Sequence, residues 1–426
     1  MRILWFTNHL LPEVAKAIND EPTVNEGWLV GMIKNLSDID SRDEITVCCP
    51  KNGIKNIISG QQDQYKYVVY PLTKEKVCYD VNLHAVIEKI LNKIRPDIVH
   101  IMGTEFPHSY SVIEACNTVG LIDHTVISIQ GLVSVYERHY CEGLPMAVRF
   151  IGSLRDVLKR TSIEHERYLM KFRGTYEVLA IKSCKHIIGR THWDKICTSI
   201  INPKREYHFN NEILRPSFYQ GEWNLERCDK YTLFISQASY PIKGFHYALE
   251  ALNIVLARYP HCKLYVAGSS MLKEKEFWPA WRRTSYENYL FKIIQKHNLR
   301  EHIVFCGSLS EERMKERYLK SHIFISASTI ENSPNSVGEA MILGVPTISS
   351  FVGGVDDLLI NKEEGFLYQS TAPYMLAGYI CELFENDALA NKMAKKAREH
   401  ALLTHDPQKN ARDLLSIYEK INREAN

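Results

Sequence analysis

The sequence predicts an α/β protein made of two doubly wound domains, each with a largely parallel sheet. Short β-rich runs alternate with amphipathic helical stretches, and several runs are apolar without alternation, as strands buried on both faces are. The alternation occurs twice along 426 residues, a length that exceeds one ordinary core. A polar stretch without a sustained period, 209–231, separates the two halves. We therefore predict an N-terminal domain over residues 1–215, a second domain over 216–405, and a helical segment over 406–426 that can pack back on the first domain.

Twelve runs are predicted to be strands because they are rich in β-branched, aromatic and other apolar residues. In the first half these runs are RILWFTN, EITVCCP, KYVVYPL, DIVHIMG, TVISIQG and HIIGRT. In the second half they are TLFISQA, KLYVAGS, IVFCGSL, IFISAS, PTISSF and GFLY.

Helices are predicted between these runs wherever apolar residues recur at a spacing of three and four. One such face is formed by Trp28, Leu29, Met32, Ile33 and Leu36, and another by Phe245, Leu249, Leu252 and Leu256. A third helical stretch follows Pro407 near the end of the chain. Parallel sheets bind ligands beyond the carboxyl ends of their strands, so the residues that follow each run are the candidates for a site.

Charge and cysteine usage narrow the classes of function. Lys and Arg total 52 and Asp and Glu total 50, so the net charge is +2, without the basic excess expected of a nucleic-acid binder. The cysteines number eleven and form no CxxC pair, which predicts reduced thiols in a cytoplasmic protein. The first residues carry no secretory signal pattern, and no apolar run is long enough to cross a membrane.

The stretch ENSPNSVGEAM, 331–341, places two carboxylates around a loop of small and polar residues. Ser333 or Asn335 can cap a helix that starts here, and a helix N-terminus offers unpaired N–H groups to an anion. Glu339, in what we expect to be the first turn, can accept hydrogen bonds from a ribose diol, and Glu331 can reach another part of the same ligand. On spacing alone, a capped helix with two surface glutamates explains the stretch equally well.

Glycines mark three further turns next to predicted strands. Lys243-Gly244 follows TLFISQA, where a lysine can meet a diphosphate and a glycine lets the backbone approach closely. Gly353-Gly354 follows PTISSF, and Gly27 opens a helix near the first strand. Taken singly, each is more simply a turn glycine or a solvated lysine.

Taken together, these stretches resemble glycosyltransferase family 4, the retaining, nucleotide-sugar-dependent enzymes of the GT-B fold. The resemblance rests on Glu331, Glu339, Ala340, the Gly344-Val345-Pro346 turn and Gly353-Gly354, with PIKGFHYALEAL, LYVAGS and VFCGSLSEERM in the same order as in the family. It is strong over residues 231–368 and looser over the N-terminal half. It implies two Rossmann-like domains that face a cleft.

The resemblance also implies roles for individual residues. Glu339 would bind the ribose, Glu331 the transferred sugar, and Lys243 the leaving diphosphate, where negative charge develops. The remaining donor-binding positions would be Gly27, Gln237, Gly244, Gly307, Ser308, Leu309, Asn332, Ser333, Asn335 and Ser336. The family uses no metal, and Asp356-Asp357 is expected to cap a helix rather than to hold an ion. No cofactor is expected, since the nucleotide-sugar is a substrate.

The sequence departs from the family's pattern at three positions. Gln237 stands where many members carry an arginine that pairs with the lysine on the diphosphate. Gln130 stands where many carry a histidine close to the reacting centre, and we treat it as a candidate catalytic residue. Glu26-Gly27 replaces the family's N-terminal glycine pair. These departures put the rate, and even the activity, in doubt.

The acceptor side is expected on the N-terminal domain. Glu105, His108 and Arg190 follow predicted strands and are the candidates for acceptor contacts. His108 could equally be a structural histidine, and Arg190 could tie the domains together.

A basic, apolar segment over 145–173 has two interpretations. If the segment is helical, Val148, Ile151, Leu154 and Leu158 share a face with arginines and a lysine nearby. It would either rest on an anionic membrane surface and present a lipid-linked acceptor, or pack into the core with a solvated basic edge.

The resemblance therefore implies a metal-independent, retaining hexosyltransferase that acts by front-side attack. It would move a sugar from a UDP- or GDP-type donor to a polysaccharide or lipid-linked oligosaccharide precursor. The expected location is the cytoplasm, with or without peripheral contact at the cytoplasmic membrane face. The alternative is a non-catalytic relative that binds nucleotide-sugars or acts as a scaffold.

Overall fold

The computed structural model describes residues 1–21, 27–268 and 278–426. The chain divides into two compact units. The first comprises Met1–Tyr136, Leu169–Arg215 and His405–Asn426, and the second comprises Glu137–Tyr168 and Pro216–Thr404.

The first unit contains an eight-stranded sheet in the order β3-β4-β2-β1-β5-β6-β7-β8. Its neighbours are parallel except for the antiparallel pair β3 and β4. The strands are β1 (Arg2–Thr7), β2 (Glu44–Asn52), β3 (Ile58–Gln61), β4 (Lys66–Leu72), β5 (Ile98–Met102), β6 (Thr125–Ser128), β7 (His186–Gly189) and β8 (Glu206–Phe209).

Helices flank this sheet because each buries an apolar face against it. In α2, for example, Leu29, Met32 and Ile33 lie in the core. The helices of the first unit are α1 (Pro12–Ala17), α2 (Gly27–Ile39), α3 (Leu83–Ile94), α4 (His108–Thr118), α9 (His192–Ile201) and α16 (Pro407–Ala425). Two more helices have residues in both units, α5 (Val133–His139) and α8 (Ile163–Ser183).

The second unit contains a six-stranded, all-parallel sheet in the order β11-β10-β9-β12-β13-β14. The strands are β9 (Asp229–Ile235), β10 (Lys263–Ala267), β11 (Ile303–Gly307), β12 (Ser321–Ser326), β13 (Thr347–Ser350) and β14 (Phe366–Tyr368). The helices are α6 (Met146–Phe150), α7 (Leu154–Lys159), α10 (Phe245–Leu256), α11 (Ser285–Lys296), α12 (Glu311–Lys320), α13 (Asn335–Ile342), α14 (Pro373–Glu385) and α15 (Asp387–Thr404). Short 3-10 turns lie at Ile122–His124, Pro216–Tyr219, Pro241–Lys243, Ala280–Arg282, Arg300–His302 and Val355–Asp357.

All twelve predicted strands are present, and two strands were not predicted. β3 has the sequence ISGQ and β8 has the sequence EYHF, and neither contains an apolar run. Both lie at the edges of the sheet, where a strand needs little apolar surface. All eleven cysteines are free, as expected.

The structure groups one segment differently from the predicted division of the chain. Residues 137–168 cluster with the second unit instead of the first. There the Thr329 hydroxyl donates to the carbonyl of His139 at 3.1 Å, and the Ser370 hydroxyl donates to Glu142 at 3.3 Å. A local sequence pattern carries no signal for such contacts, because the partners are far apart along the chain.

The same segment is not the continuous helix that its apolar spacing suggested. It breaks into α6, α7 and the start of α8. Ser153 and Asp156 form a capping box that begins α7, and Arg160 ends it in the left-handed conformation (φ 51°).

The C-terminal helix α16 packs in the first unit. The Tyr418 hydroxyl accepts a hydrogen bond from Trp5 Nε1 at 3.0 Å and lies 2.5 Å from His100 Nδ1. Leu414, Tyr418 and Ile421 are part of the apolar core that contains Trp5. None of the helices in the described part of the chain has the length and apolar character needed to cross a bilayer.

Candidate active site

The candidate site of the second unit lies at the carboxyl edge of its sheet. β9 is the first strand of this sheet along the chain; β10 and β11 follow on one side and β12 to β14 on the other. The strand order therefore reverses between β9 and β12, which is where open parallel sheets bind ligands. Lys243 follows β9 and Glu331 follows β12, so the two flank this position.

Lys243 is held by a tight turn whose geometry requires glycine. Lys243 ends the turn Pro241–Lys243, and Gly244 has φ of +63°. A Cβ at Gly244 would overlap the carbonyl oxygen of Ala327, which lies just after β12. The backbone N–H of Thr329 donates to the carbonyl of Ile242 at 2.7 Å. The loops that carry Lys243 and Glu331 are therefore fixed to one another by their backbones.

Lys243 and Glu331 form an ion pair, with Nζ and Oε1 2.5 Å apart. The same carboxylate oxygen accepts the Ser328 hydroxyl at 2.7 Å. The lysine side chain remains 19% exposed and the glutamate 11%. Burial opposes the charge on Lys243, but the facing Glu331 carboxylate outweighs it and raises the pKa of the lysine. Lys243 is therefore cationic at neutral pH and can be reached from solvent.

The helix after Glu331 differs from the prediction in two details. Pro334 occupies the N-cap position, and within the described residues no side chain caps α13, so Ser333 and Asn335 do not act as caps. Glu339 is the fifth residue of α13 and lies in its second turn, not its first. It is buried, as is Asn332.

The start of α13 keeps the chemistry of an anion site. Val337 and Gly338 are the first N–H groups that bond back, both to the carbonyl of Pro334. The preceding amides, those of Asn335 and Ser336, lie at the helix start, where N–H groups face outward and the dipole favours negative charge. The Tyr318 hydroxyl donates to the carbonyl of Ser336 at 3.0 Å and anchors the turn.

The Gly353-Gly354 turn packs against the backbone of Glu331. Gly353 has φ of +56°, and a Cβ there would overlap the carbonyl oxygen of Glu331. The N–H of Gly354 donates to the same oxygen at 3.1 Å. This glycine pair therefore fixes the backbone that carries the carboxylate.

The other predicted donor positions lie along the same edge. Gly307 ends β11 with φ of +73°, and its carbonyl accepts the N–H of Gly268 at 3.1 Å. Ser308 is exposed and Leu309 is half-buried. Gln237 is exposed after β9, within van der Waals reach of a Cβ placed on Gly268.

In the first unit, Gln130 and Arg190 are brought together by a residue that was not predicted. Gln130 Nε2 donates to Glu212 Oε1 at 2.5 Å, and Arg190 Nη1 lies 2.5 Å from Glu212 Oε2. Arg190 and Glu212 are 6% and 8% exposed. The carbonyl of Glu212 also contacts His405 Nδ1 at 2.7 Å. The partners of Arg190 described here all lie within the first unit.

Glu105 and His108 follow β5; His108 is buried and Glu105 is half-buried. Glu105 accepts the Asn8 amide at 2.7 Å, and burial raises the pKa of its carboxyl. Burial, with the charge of Lys76 nearby, lowers the pKa of His108 to about 3, so its ring is neutral at pH 7. That ring stacks on Phe106 at 6.1 Å, as a structural histidine would. Gly27 begins α2, and Glu26 lies outside the described residues.

One group of side chains in the described part of the chain could hold a metal ion. It consists of His186, the first residue of β7, with Glu206 and His208, the first and third residues of β8. His186 Nδ1 and His208 Nε2 lie 3.1 Å apart, and Glu206 also pairs with Lys420. This group lies at the edge of the first sheet opposite the strand ends that carry Gln130 and Arg190.

Comparison with known proteins finds a similarity within the second unit. Residues 219–400 match the sequence model of the family "Glycosyl transferases group 1". This match covers less than half of the chain. The matched residues include Lys243, Gly307, Glu331 and Glu339, whereas the candidates of the first unit lie outside them.

Relatives and solved structures extend the match. The putative glycosyltransferase YtcC of Bacillus subtilis is 24% identical over 205 residues, 48% of this chain and 48% of that protein. The chain thus spans about half the length of this relative. Sucrose-phosphate synthase from Thermosynechococcus elongatus superposes with a TM-score of 0.71 over 99% of both chains at 13% identity. The Anabaena protein HepE in complex with UDP superposes with a TM-score of 0.67 over 99% of this chain and 100% of that one, also at 13% identity. The predicted GT-B fold is confirmed.

Sequence reasoning missed two polar residues and one segment that hold the candidates in place. Ser328 and the 137–142 segment support the loop of Glu331 in the second unit, and Glu212 joins Gln130 to Arg190. Ser328 sits three residues before Glu331, so its spacing offered a signal. Glu212 lies in the polar stretch between the domains, where nothing in the sequence distinguishes it.

Proposed function

We propose that the chain is a retaining glycosyltransferase of family 4. It would transfer a hexosyl unit from a nucleotide-sugar to a glycan acceptor, without a metal, by front-side attack. The observation that carries the proposal is the Lys243–Glu331 pair at the topological switch point, next to the start of α13. The pair places one cation and one acceptor carboxylate where a diphosphate and a sugar would meet.

Each element of the site has a distinct task in this reaction. Lys243, together with the amides of Asn335 and Ser336, would stabilise the charge that develops on the leaving nucleoside diphosphate. Glu331 would accept hydrogen bonds from the hydroxyls of the transferred sugar, and Glu339 would accept those of the ribose. The acceptor hydroxyl would attack on the face from which the diphosphate leaves, and a phosphate oxygen would take its proton.

A UDP-type donor is favoured over a GDP-type one by similarity in fold. HepE was solved with UDP and with UDP-glucose, and both structures cover 98% or more of this chain. Gly307, Ser308 and Leu309 would border the base. The acceptor proposed is a polysaccharide or lipid-linked oligosaccharide precursor, met at the cytoplasmic face of a membrane.

Donor turnover tests this proposal. The full chain would be incubated with UDP-, GDP-, ADP- and dTDP-sugars and a membrane extract, and release of nucleoside diphosphate would be followed. We expect release with one donor and a loss of at least about 100-fold in Glu331→Ala and Lys243→Ala, the size of effect seen when a preorganised donor is removed. Lys392→Ala, an exposed lysine on α15, is the matched control. Unchanged release in both site variants would overturn the assignment, and unchanged release in EDTA would support the metal-independent route.

A second candidate function is nucleotide-sugar binding without transfer. Two observations favour it: Gln237 replaces the second cation, and Gln130 already donates to Glu212. Thermal stabilisation by a UDP-sugar, without release for any donor or acceptor fraction, would select this alternative.

A further inference from the structure

A short part of the second unit exposes many large apolar side chains. In the segment 146–158, Ile151 is 74% exposed and Leu158 is 75% exposed. The others are Met146, Phe150, Leu154 and Val157. Single exposed apolar residues are ordinary, but a contiguous group marks a surface that another body covers.

The fold adds a tryptophan from a distant part of the sequence. Asp156 is buried and accepts hydrogen bonds from the backbone N–H and the hydroxyl of Ser285, which fastens α7 to the start of α11. α7 therefore lies beside the 3-10 turn Ala280–Arg282. Trp281, in that turn, is 54% exposed, and the Arg282 guanidinium lies 5.1 Å from the centre of its ring.

Basic residues border these apolar side chains. Lys159 is the last residue of α7, Arg160 follows it, and Arg282 follows Trp281; all three are exposed. Two acids of the described segment are engaged within the fold: Asp156 is held by Ser285, and Glu164 pairs with Arg149 at 2.6 Å. The border therefore presents positive charge to solvent.

We propose that this surface docks on a membrane leaflet that contains anionic phospholipids. We call it the docking surface and define it by Phe150, Ile151, Leu154, Val157, Leu158 and Trp281, with Lys159, Arg160 and Arg282 at its border. Tryptophan and apolar side chains partition into the headgroup boundary, and exposed basic residues are attracted to acidic lipids.

A second copy of the chain fits this surface less well. A symmetric dimer would bring the same border against itself, which sets Lys159, Arg160 and Arg282 of one copy against the same cations of the other. An anionic leaflet satisfies the apolar centre and the basic border together.

Vesicle sedimentation with the full chain tests the proposal. Vesicles of phosphatidylglycerol and phosphatidylcholine in equal parts would be compared with vesicles of phosphatidylcholine alone, without any donor sugar present. We expect binding to the anionic vesicles, with a loss of about 25-fold in Lys159→Gln/Arg160→Gln, since each basic residue near the surface contributes about fivefold. Ile151→Ser/Leu158→Ser should abolish sedimentation at the same lipid concentration.

Matched controls come from the same unit. Leu403→Ser removes a side chain that is 74% exposed on α15, and Lys392→Gln/Lys395→Gln removes two exposed lysines there. Both should bind as the natural sequence does. Unchanged melting temperatures would show that all variants fold.

Three outcomes would overturn the proposal. These are failure to sediment with anionic vesicles, sedimentation that the docking-surface variants leave unchanged, and concentration-dependent dimerisation that Ile151→Ser/Leu158→Ser removes. Competition by soluble glycerol phosphate at millimolar level would indicate headgroup binding without a bilayer and would also overturn it. None of these readouts depends on sugar transfer, so they are independent of the proposed function.

Discussion

The carboxyl edges of the two sheets carry charged side chains in different ways. In the second unit, Lys243 faces Glu331 with its side chain 19% exposed, and the only further partner described for that carboxylate is the Ser328 hydroxyl. In the first unit, Arg190 and Glu212 are 6% and 8% exposed, and Gln130 and His405 complete the network. At the second sheet, Lys243 can exchange Glu331 for an anionic ligand. At the first sheet, the charged side chains are buried and bonded to one another.

The difference indicates which charges hold the fold and which serve a ligand. A charge that is buried with its partner costs stability when one member is removed, because the other stays unpaired in a poorly solvated place. A charge that reaches solvent costs less when its partner is removed, because water replaces the missing contact. Substitutions at the two edges should therefore separate stability from binding.

The largest expected effect is the loss of stability in Arg190→Ala. Removal of the guanidinium leaves the Glu212 carboxylate buried without its cation, at a cost of about 3–5 kcal/mol in the free energy of unfolding. Urea denaturation, with hydrogen exchange to locate the change in the first unit, measures it. A loss below about 1 kcal/mol would show that the network is not a structural frame.

The matching change in the second unit is Lys243→Met. Glu331 keeps the Ser328 hydroxyl and access to water, so we expect a stability loss of about 1 kcal/mol. Binding of a nucleoside diphosphate, measured by calorimetry, should nevertheless weaken at least tenfold, about 1.4 kcal/mol. If Lys243→Met unfolds the chain as Arg190→Ala does, the comparison of the two edges fails.

The sequence grouped the candidate residues at the carboxyl edge of the second sheet but gave no sign of the network at the carboxyl edge of the first. The reason for this difference is physical. The site of the second unit is encoded in short contiguous stretches, such as 331–341, in which loop, helix start and carboxylates follow each other. Gln130 and Glu212 lie 82 positions apart and meet only because β6 and the end of β8 come to the same edge of the sheet.

The exact start of α13 was mispredicted because Pro334, not a polar side chain, takes the N-cap. The placement of 137–168 escaped prediction since its partners, Thr329 and Ser370, are set by tertiary packing.

Two glycine substitutions, one in each unit, test how much the contact between the loops of Lys243 and Glu331 contributes to stability. Gly244→Ala combines a left-handed φ with overlap against the Ala327 carbonyl, and should cost about 2–3 kcal/mol in stability. Gly120→Ala in the first unit, with φ of +77° and open space, should cost about 1 kcal/mol. Equal losses in thermal unfolding would mean that the contact between the two loops contributes nothing.

Acid should weaken the first unit through three of its histidines. Burial lowers the pKa of His100 and of His108 to about 3, and that of His9 to about 4, from 6.5. Below pH 6.5 these rings take up protons in the unfolded chain but stay neutral in the folded one. Their contribution to the free energy of unfolding is therefore complete above pH 6.5 and is lost as the pH falls towards 3. Each ring contributes up to about 1.4 kcal/mol per pH unit in that window.

His100→Gln separates titration from structure in this case. Glutamine can keep bonds to Ser128 and Tyr418, the two partners of His100, but does not titrate. The slope of unfolding free energy against pH between 6.5 and 4 should fall by about 1.4 kcal/mol per unit. A slope that does not change would show that His100 is not the neutral, buried group described here.

The smallest expected effect is a gain of affinity in Gln237→Arg. Gln237 is exposed after β9, where the resembled family carries a second cation, so an arginine can be accommodated without burial. An exposed charge pair contributes about 1 kcal/mol or less, so the dissociation constant for a nucleoside diphosphate should fall by up to about fivefold. Gln220→Arg, which adds the same charge at another exposed glutamine of the second unit, should leave it unchanged. A gain in Gln237→Arg alone would place the diphosphate at the exposed edge, beside Lys243. Equal gains in both variants would instead indicate attraction by net charge, and the open character assigned to this edge would lose its support.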